Sequence, residues 1–280
     1  MGCGQRCAFC SVRAYPRYPG DDVIYLYAGT AVRVEKELAE RVEKPRAVFI
    51  SPSTDPFPPI AEVQAETASV IEAVARQDVT TWLMTRGQIR PSVMSILREH
   101  RRLVRVSVAL TTVDRRHQRM LEPLTAPPRI RLRQIEALRA SGISTQVIIE
   151  PLVPGVTDTR TNLSALLTAL ANIGIQRVTA SYMFLRPGIR DHLIQALQAH
   201  GLDEAVLSAF QGGPTLNQGP LAPAQYLSKP RRQRGYSALM ALAADFGISV
   251  GISATTNPDF GTNSYGHSAK HSRPPSPSLF

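Results

Sequence analysis

The chain has 280 residues, 43% of them apolar, and a formal net charge of +10. Such a length and apolar share build one large domain or two small ones and exclude a disordered or fibrous chain. No apolar run reaches the ~18 residues of a membrane span. The start MGCGQRC lacks the apolar core of a signal peptide, so a cytoplasmic protein with no membrane partner is expected.

The first feature in chain order is a cysteine cluster. Cys3, Cys7 and Cys10 are the only cysteines, spaced C-x3-C-x2-C, with the aromatic Phe9 before the third. Three thiols cannot close a disulfide framework. Within eight residues they can wrap one metal centre at little entropic cost. A structural zinc normally takes four protein ligands, and the six histidines are scattered without paired spacing. A [4Fe-4S] cluster on three cysteines leaves one iron open to a further ligand. The pattern favours that cluster over zinc or incidental thiols.

Behind the cysteines, short β-branched runs alternate with longer helical patterns. Strands are expected at 47–51, 79–84, 103–110, 145–152, 177–184 and 248–253. Helices are expected at 31–44, 62–76, 91–100, 129–141, 160–173, 188–200 and 235–246. In RLRQIEALRASGI, Leu132, Ile135 and Leu138 recur at helical spacing and Gly142 closes the helix. Strands alternating with helices of this length predict βα units, a parallel sheet, and a barrel or part of one. Ligands in such folds bind where the strands end. The stretch 211–234 reads as a loop with a basic cluster before the last helix, and the Pro/Ser-rich 261–280 as a disordered tail. This gives a core over 1–210, an extension of loop, helix and strand over 211–260, and the tail.

Charge is uneven. Between residues 86 and 139 thirteen arginines face four acids. The excess points to nucleic acid or another polyanion as partner, the bland alternative being a solvated arginine-rich surface.

The chain resembles the radical S-adenosylmethionine (radical SAM) superfamily through C-x3-C-x-aromatic-C. Within it, the chain is similar to the spore photoproduct lyase-like branch, also called DNA repair photolyase-like, over about residues 2–185. SPSTDPF at 51–57, LMTRGQIRP at 83–91, RVSVALTTVD at 105–114, LEPLTAPPRIRL at 121–132 and EPLVPGVTD at 150–158 carry that likeness in family order. It implies a partial (β/α)6 TIM-like barrel; only Met1 and Gly2 precede Cys3, so either the usual first strand is lacking or the chain is truncated. It further implies a [4Fe-4S] cluster on Cys3, Cys7 and Cys10, and SAM chelating the open iron. A 5′-deoxyadenosyl radical from SAM would abstract hydrogen from the substrate, and a reductant such as flavodoxin or ferredoxin would supply the electron.

Positions matching Thr54, Arg86 and Ser107 hold SAM in that branch, where a lysine stands in place of Arg86. Asp55 joins Thr54 as an acceptor for an ammonium group, and Arg86 can fork onto a carboxylate. Glu122 and Arg131 form an ion pair or shape the pocket rim, Pro154 and Gly155 set a turn, and Tyr182 fills core or flanks the nucleoside. Two departures bear on chemistry. Pro52 stands where the lesion-repairing lyase has its hydrogen-donating cysteine, and Ser11 where it has a tyrosine. Neither side chain supports that relay, so Tyr15, Tyr18, Tyr25 and Tyr27 are the nearby aromatic candidates. The substrate is not legible. A nucleic acid, a peptide and a small metabolite all remain, beside a non-enzymatic metal-stabilised nucleic-acid-binding protein.

Overall fold

The computed structural model describes residues 2–217 and 223–260. After the cysteine loop and a 3-10 turn, Ser11–Ala14, the elements run α1 (Thr30–Glu40), β1 (Ala47–Ile50), α2 (Ala61–Arg76), β2 (Thr80–Thr85), α3 (Pro91–Glu99), β3 (Val104–Ala109), α4 (Arg115–Leu121) and α5 (Pro128–Ala140). They continue with β4 (Ser144–Leu152), α6 (Arg160–Asn172), β5 (Arg177–Tyr182), α7 (Arg190–Gln198), α8 (Asp203–Ser208), β6 (Thr215–Leu216), β7 (Ala224–Gln225), α9 (Lys229–Ala244) and β8 (Ser249–Ile252).

All six expected strands form one parallel sheet in the order β1-β2-β3-β4-β5-β8. β1 and β8 are both edges, so the barrel is unclosed. Among the described residues no strand precedes Ala47. None of the helices is long and apolar enough to cross a membrane. The expected tail at 261–280 lies outside the described residues.

Alternation along each strand divides the sheet into two faces. Val104, Val106 and Val108 on β3, Val147 and Ile149 on β4, and Val178 and Ala180 on β5 are buried in one core. Leu97, Ile135, Leu166 and Leu239 of the surrounding helices pack into the same core. Each of the Val, Ile and Leu side chains contributes about 1.5–3 kcal/mol by leaving water. The alternate residues Phe49, Trp82, Arg105, Gln146 and Arg177 are exposed on the helix-free face. The strand register sets Phe49 beside Trp82 and Trp82 beside Arg105.

Three helical pieces were not expected. α4 is too short for a periodic signal, and its mark is Asp114, whose carboxylate caps the Arg116 N–H at 2.6 Å. α8 and the 3-10 turn are shorter still. α9 differs in extent, beginning at Lys229 inside the stretch read as a basic loop. Arg232 explains the difference. Its side chain is fully buried, donates to Leu227 O and Asn257 Oδ1 at 3.0 Å each, and pairs with Asp259. The guanidinium also lies 4.7 Å from the Phe260 ring centroid. One of the "loop" arginines is therefore a core residue that ties the chain after β8 to the start of α9.

Candidate active site at the strand ends

Local turns bring the sequence-predicted residues together where the strands end. Ser51 adopts a left-handed φ of 53° directly after β1, and Thr54 N donates to Ser51 O at 3.2 Å. This turn swings Asp55 across to the end of β2. Its carboxylate is buried and accepts three hydrogen bonds: Phe57 N at 2.8 Å and Thr85 Oγ1 at 2.7 Å on Oδ1, and Arg86 N at 2.7 Å on Oδ2. Gly87 is required beside it, since a Cβ there would lie 2.0 Å from Phe57 O.

Arg86 is held by both ends of its guanidinium. Nε donates to Glu122 Oε1 at 2.9 Å and one terminal nitrogen, Nη2, donates to the main-chain carbonyl of Glu150 at 2.8 Å. The Phe9 ring lies 5.4 Å from the guanidinium carbon, which links the cysteine loop to the end of β2. Burial opposes the charge, but Glu122, Cys7 and Asp55 outweigh it and hold the Arg86 pKa above its ordinary value. Glu122 is buried and bridges to Arg131, whose Nη2 lies 2.5 Å from Oε2. Arg131 also donates to the carbonyls of Ala126 at 2.7 Å and Ala109 at 2.8 Å. Thus Glu122 and Arg131 are the ion pair that was one of the two expectations, and the pair extends to Arg86.

Thr54 is half-buried in the 51–57 turn, and Ser107 is half-buried on the helix-free face of β3, in register with Met84. Neither hydroxyl is taken up by a hydrogen bond among the described residues. Ser107 lies deeper along its strand than the residues beside Arg86. Tyr182 is 5% exposed, its hydroxyl donates to Asp158 Oδ2 at 3.1 Å and its N–H to Tyr236 Oη at 3.0 Å, so it fills core. Gly155 has a φ of 71° and its N–H reaches Asp158 Oδ1 at 2.6 Å, the expected turn.

The cysteine loop lies over these groups. Ala8 N donates to Leu121 O at 2.8 Å and Leu124 N to Gln5 O at 3.3 Å, which fastens the loop to the chain around Glu122. All three thiols are free, with Cys7 buried and Cys3 and Cys10 half-buried. Burial first, then Asp55, pushes the Cys3 thiol up to about 11, although main-chain N–H groups of Gln5 and Asp55 donate to its sulfur. Burial and Glu122 also raise the Cys7 thiol well above its ordinary value, against the charge of Arg86.

Three free thiols and a buried unpaired donor are the chemistry present for an iron–sulfur group. Among the described residues no three His, Cys, Asp or Glu side chains converge as ligands of a single ion would. Inside the loop Gln5 is 2% exposed and its Nε2 donor has no partner, as expected of a group that meets an acceptor not supplied by the protein. Sequence reasoning passed over Thr85 and Gln5, and only their buried polar atoms reveal them.

An unclosed β/α barrel with three thiols above its strand ends defines a class of cofactor-binding half-barrels. The family is specific: the chain belongs to the radical SAM superfamily, whose model matches residues 1–167. An uncharacterised protein of Mycobacterium tuberculosis is 28% identical over 198 residues, covering 68% of this chain and 58% of that protein. The chain therefore spans somewhat over half the length of this curated relative. A protein of Pseudomonas phage M6 described as a radical SAM Nalpha-GlyT isomerase is 26% identical over 182 residues, 65% of this chain and 37% of its own. Among solved structures, a spore photoproduct lyase mutant with bound AdoMet and dinucleoside spore photoproduct superposes with a TM-score of 0.69. That match has 14% identity and covers 90% of this chain and 74% of the lyase. The fold is thus that of spore photoproduct lyase.

Proposed function

We propose that this protein is a radical SAM enzyme that holds a [4Fe-4S] cluster on Cys3, Cys7 and Cys10 and binds SAM at the adjoining strand ends. When bound, these groups supply one-electron cleavage of the sulfonium and a 5′-deoxyadenosyl radical for hydrogen abstraction. The observation that carries the reading is the Phe9–Arg86 contact, which joins the cysteine loop to a network where each polar group has a distinct task.

Arg86 is oriented by Glu122 and the Glu150 carbonyl, and its remaining nitrogen, Nη1, is the one offered to a ligand carboxylate. The Thr54 hydroxyl and the remaining acceptor capacity of Asp55 Oδ2 suit an ammonium group. Ser107, deeper in the half-barrel, offers a small hydroxyl to a polar ligand atom. Loading the thiols releases their protons.

Lesion repair by the lyase route is not part of the proposal. Ser11 opens the 3-10 turn and Pro52 is exposed. Tyr15 is the tyrosine that reaches this segment, its hydroxyl 3.1 Å from Ser53 Oγ. Nucleic acid, or another polyanion, is the partner class that the charge supports. Arg86 and Arg131 are spent on Glu122, but the other eleven arginines between 86 and 139 are all exposed. The lyase structure with the same fold carries a dinucleoside spore photoproduct, a ligand of that protein. A flavodoxin- or ferredoxin-type protein is the proposed reductant.

The test is anaerobic reconstitution with iron and sulfide, followed by dithionite and SAM. 5′-Deoxyadenosine should form with the wild type and be lost in Cys7→Ala. A colourless, zinc-loaded protein that leaves SAM intact overturns the reading in favour of a metal-stabilised binding module. Retention on single-stranded DNA or RNA that weakens steeply with salt supports the polyanion partner, and a flat salt response removes it.

A further inference from the structure

Arg13 takes no part in the site as described, yet it is ion-paired and donates to the cysteine loop's own backbone. It lies on the 3-10 turn directly after Cys10, and its side chain is only 5% exposed. One terminal nitrogen, Nη1, donates to the carbonyl of Cys7, in the middle of the three-cysteine segment. Nε and Nη2 fork onto the two carboxylate oxygens of Asp21 at 3.1 Å each. The Tyr18 hydroxyl also donates to Asp21, and His192 on α7 adds positive potential there. Behind the turn, Gly188 of the β5–α7 connection lies within ordinary contact distance, a Cβ there standing 3.5 Å from Arg13 O. Burial works against the Arg13 charge, but Asp21 and then Cys10 hold its pKa above the ordinary value.

Geometry of this kind does two separable things. The Cys7 carbonyl bond fixes the loop between the second and third thiols. The guanidinium places one positive charge against the Cys7 carbonyl, paired with one negative charge on Asp21. A cluster gains negative charge on reduction, so nearby charge is one of the levers on its potential.

We propose that Arg13 is a positioning residue of the cysteine loop and that the Arg13–Asp21 pair sets the reduction potential of the cluster held there. The inference rests on the cluster reading above. Removing Arg13 leaves Asp21 uncompensated and favours the oxidised state. Removing the Asp21 charge leaves Arg13 uncompensated and favours the reduced state. The two single changes therefore act with opposite sign, which a purely structural role would not produce.

The experiment uses the full chain, reconstituted anaerobically, with iron and sulfide per protein and a one-electron redox titration followed by electron paramagnetic resonance. Arg13→Gln should lower the reduced-to-oxidised ratio at a fixed potential by about tenfold, which is 59 mV for one electron. Asp21→Asn should raise it, and Arg13→Lys should lie between Arg13→Gln and wild type. If Arg13→Gln holds no iron, Asp21→Asn still decides by its sign, because it keeps the Cys7 bond. Unchanged potentials in both variants, or shifts of the same sign, overturn the inference while leaving the cluster reading intact. A wild-type protein that takes up no four-iron cluster overturns both.

Discussion

The carboxylate of Asp55 accepts the main-chain N–H of Arg86 at 2.7 Å across 31 residues of sequence. It joins the turn after β1 to the end of β2, and through Phe57 N and Thr85 Oγ1 it satisfies two further donors. Asp55→Ala strands these donors, at about 1–3 kcal/mol for each buried one. The midpoint of urea unfolding should fall clearly in the metal-free protein, and Asp55→Asn should fall less. A variant as stable as wild type would show that water replaces the carboxylate.

Gly87 and Gly201 separate crowding from backbone strain. A Cβ on Gly87 meets Phe57 O at 2.0 Å, whereas Gly201 has a φ of 64° and nothing within 4 Å. Gly201→Ala should cost about 1–2 kcal/mol, the strain of a left-handed backbone. Gly87→Ala should cost more and also displace the Asp55 turn, so that SAM binding weakens alongside thermal stability. Equal costs would mean that the turn relaxes freely.

Glu122 serves two arginines at once. Glu122→Gln leaves both guanidinium groups buried without their counter-charge, a loss of about 3–5 kcal/mol. Arg131→Met alone should also destabilise. The double variant Glu122→Gln/Arg131→Met should be more stable than the sum of the single effects, measured by urea unfolding in a double-mutant cycle. Strict additivity would contradict the buried contact at 2.5 Å.

Tyr236 makes an alkaline limit. Burial pushes its phenol up from 10.0 to about 12, against the hydrogen bonds with Tyr182 N and Asn257. The folded state then binds this proton more tightly than the unfolded chain does. Its contribution is fully present below pH 10 and is lost as pH rises toward 12. Thermal melts between pH 9 and 12 should show this fall, and Tyr236→Phe should flatten part of it while lowering stability at pH 8. An identical pH profile in the variant would assign the loss to other groups.

Much of this architecture was legible because its signals are local. Each sheet strand is a short β-branched run next to a helix, and the three thiols announce themselves within eight residues. The rule that sites form at strand ends singled out Thr54, Asp55 and Arg86, which the fold gathers at the ends of β1 and β2. It could not find what these groups touch. The bonds from Asp55 to Thr85 and from Arg86 to Glu122 span 30 and 36 residues, and no spacing pattern encodes them. Arg232 hid for a different reason: in KPRRQR one arginine looks like another, and only the aromatic and acidic partners at 226 and 257–260 select it for the core. Arg13 was missed because its partner Asp21 lies in an irregular segment with no periodicity to read.

The helix-free face of the sheet carries the chain's single tryptophan. Trp82 is 36% exposed, between Phe49 and Arg105 in the strand register. Its fluorescence therefore reports on one surface alone, without a background from other indoles. Emission should begin red-shifted in the free protein and move to the blue, with loss of iodide quenching, when anything settles on that face. The molecule thus comes with its own optical gauge for finding what covers the open side of its sheet.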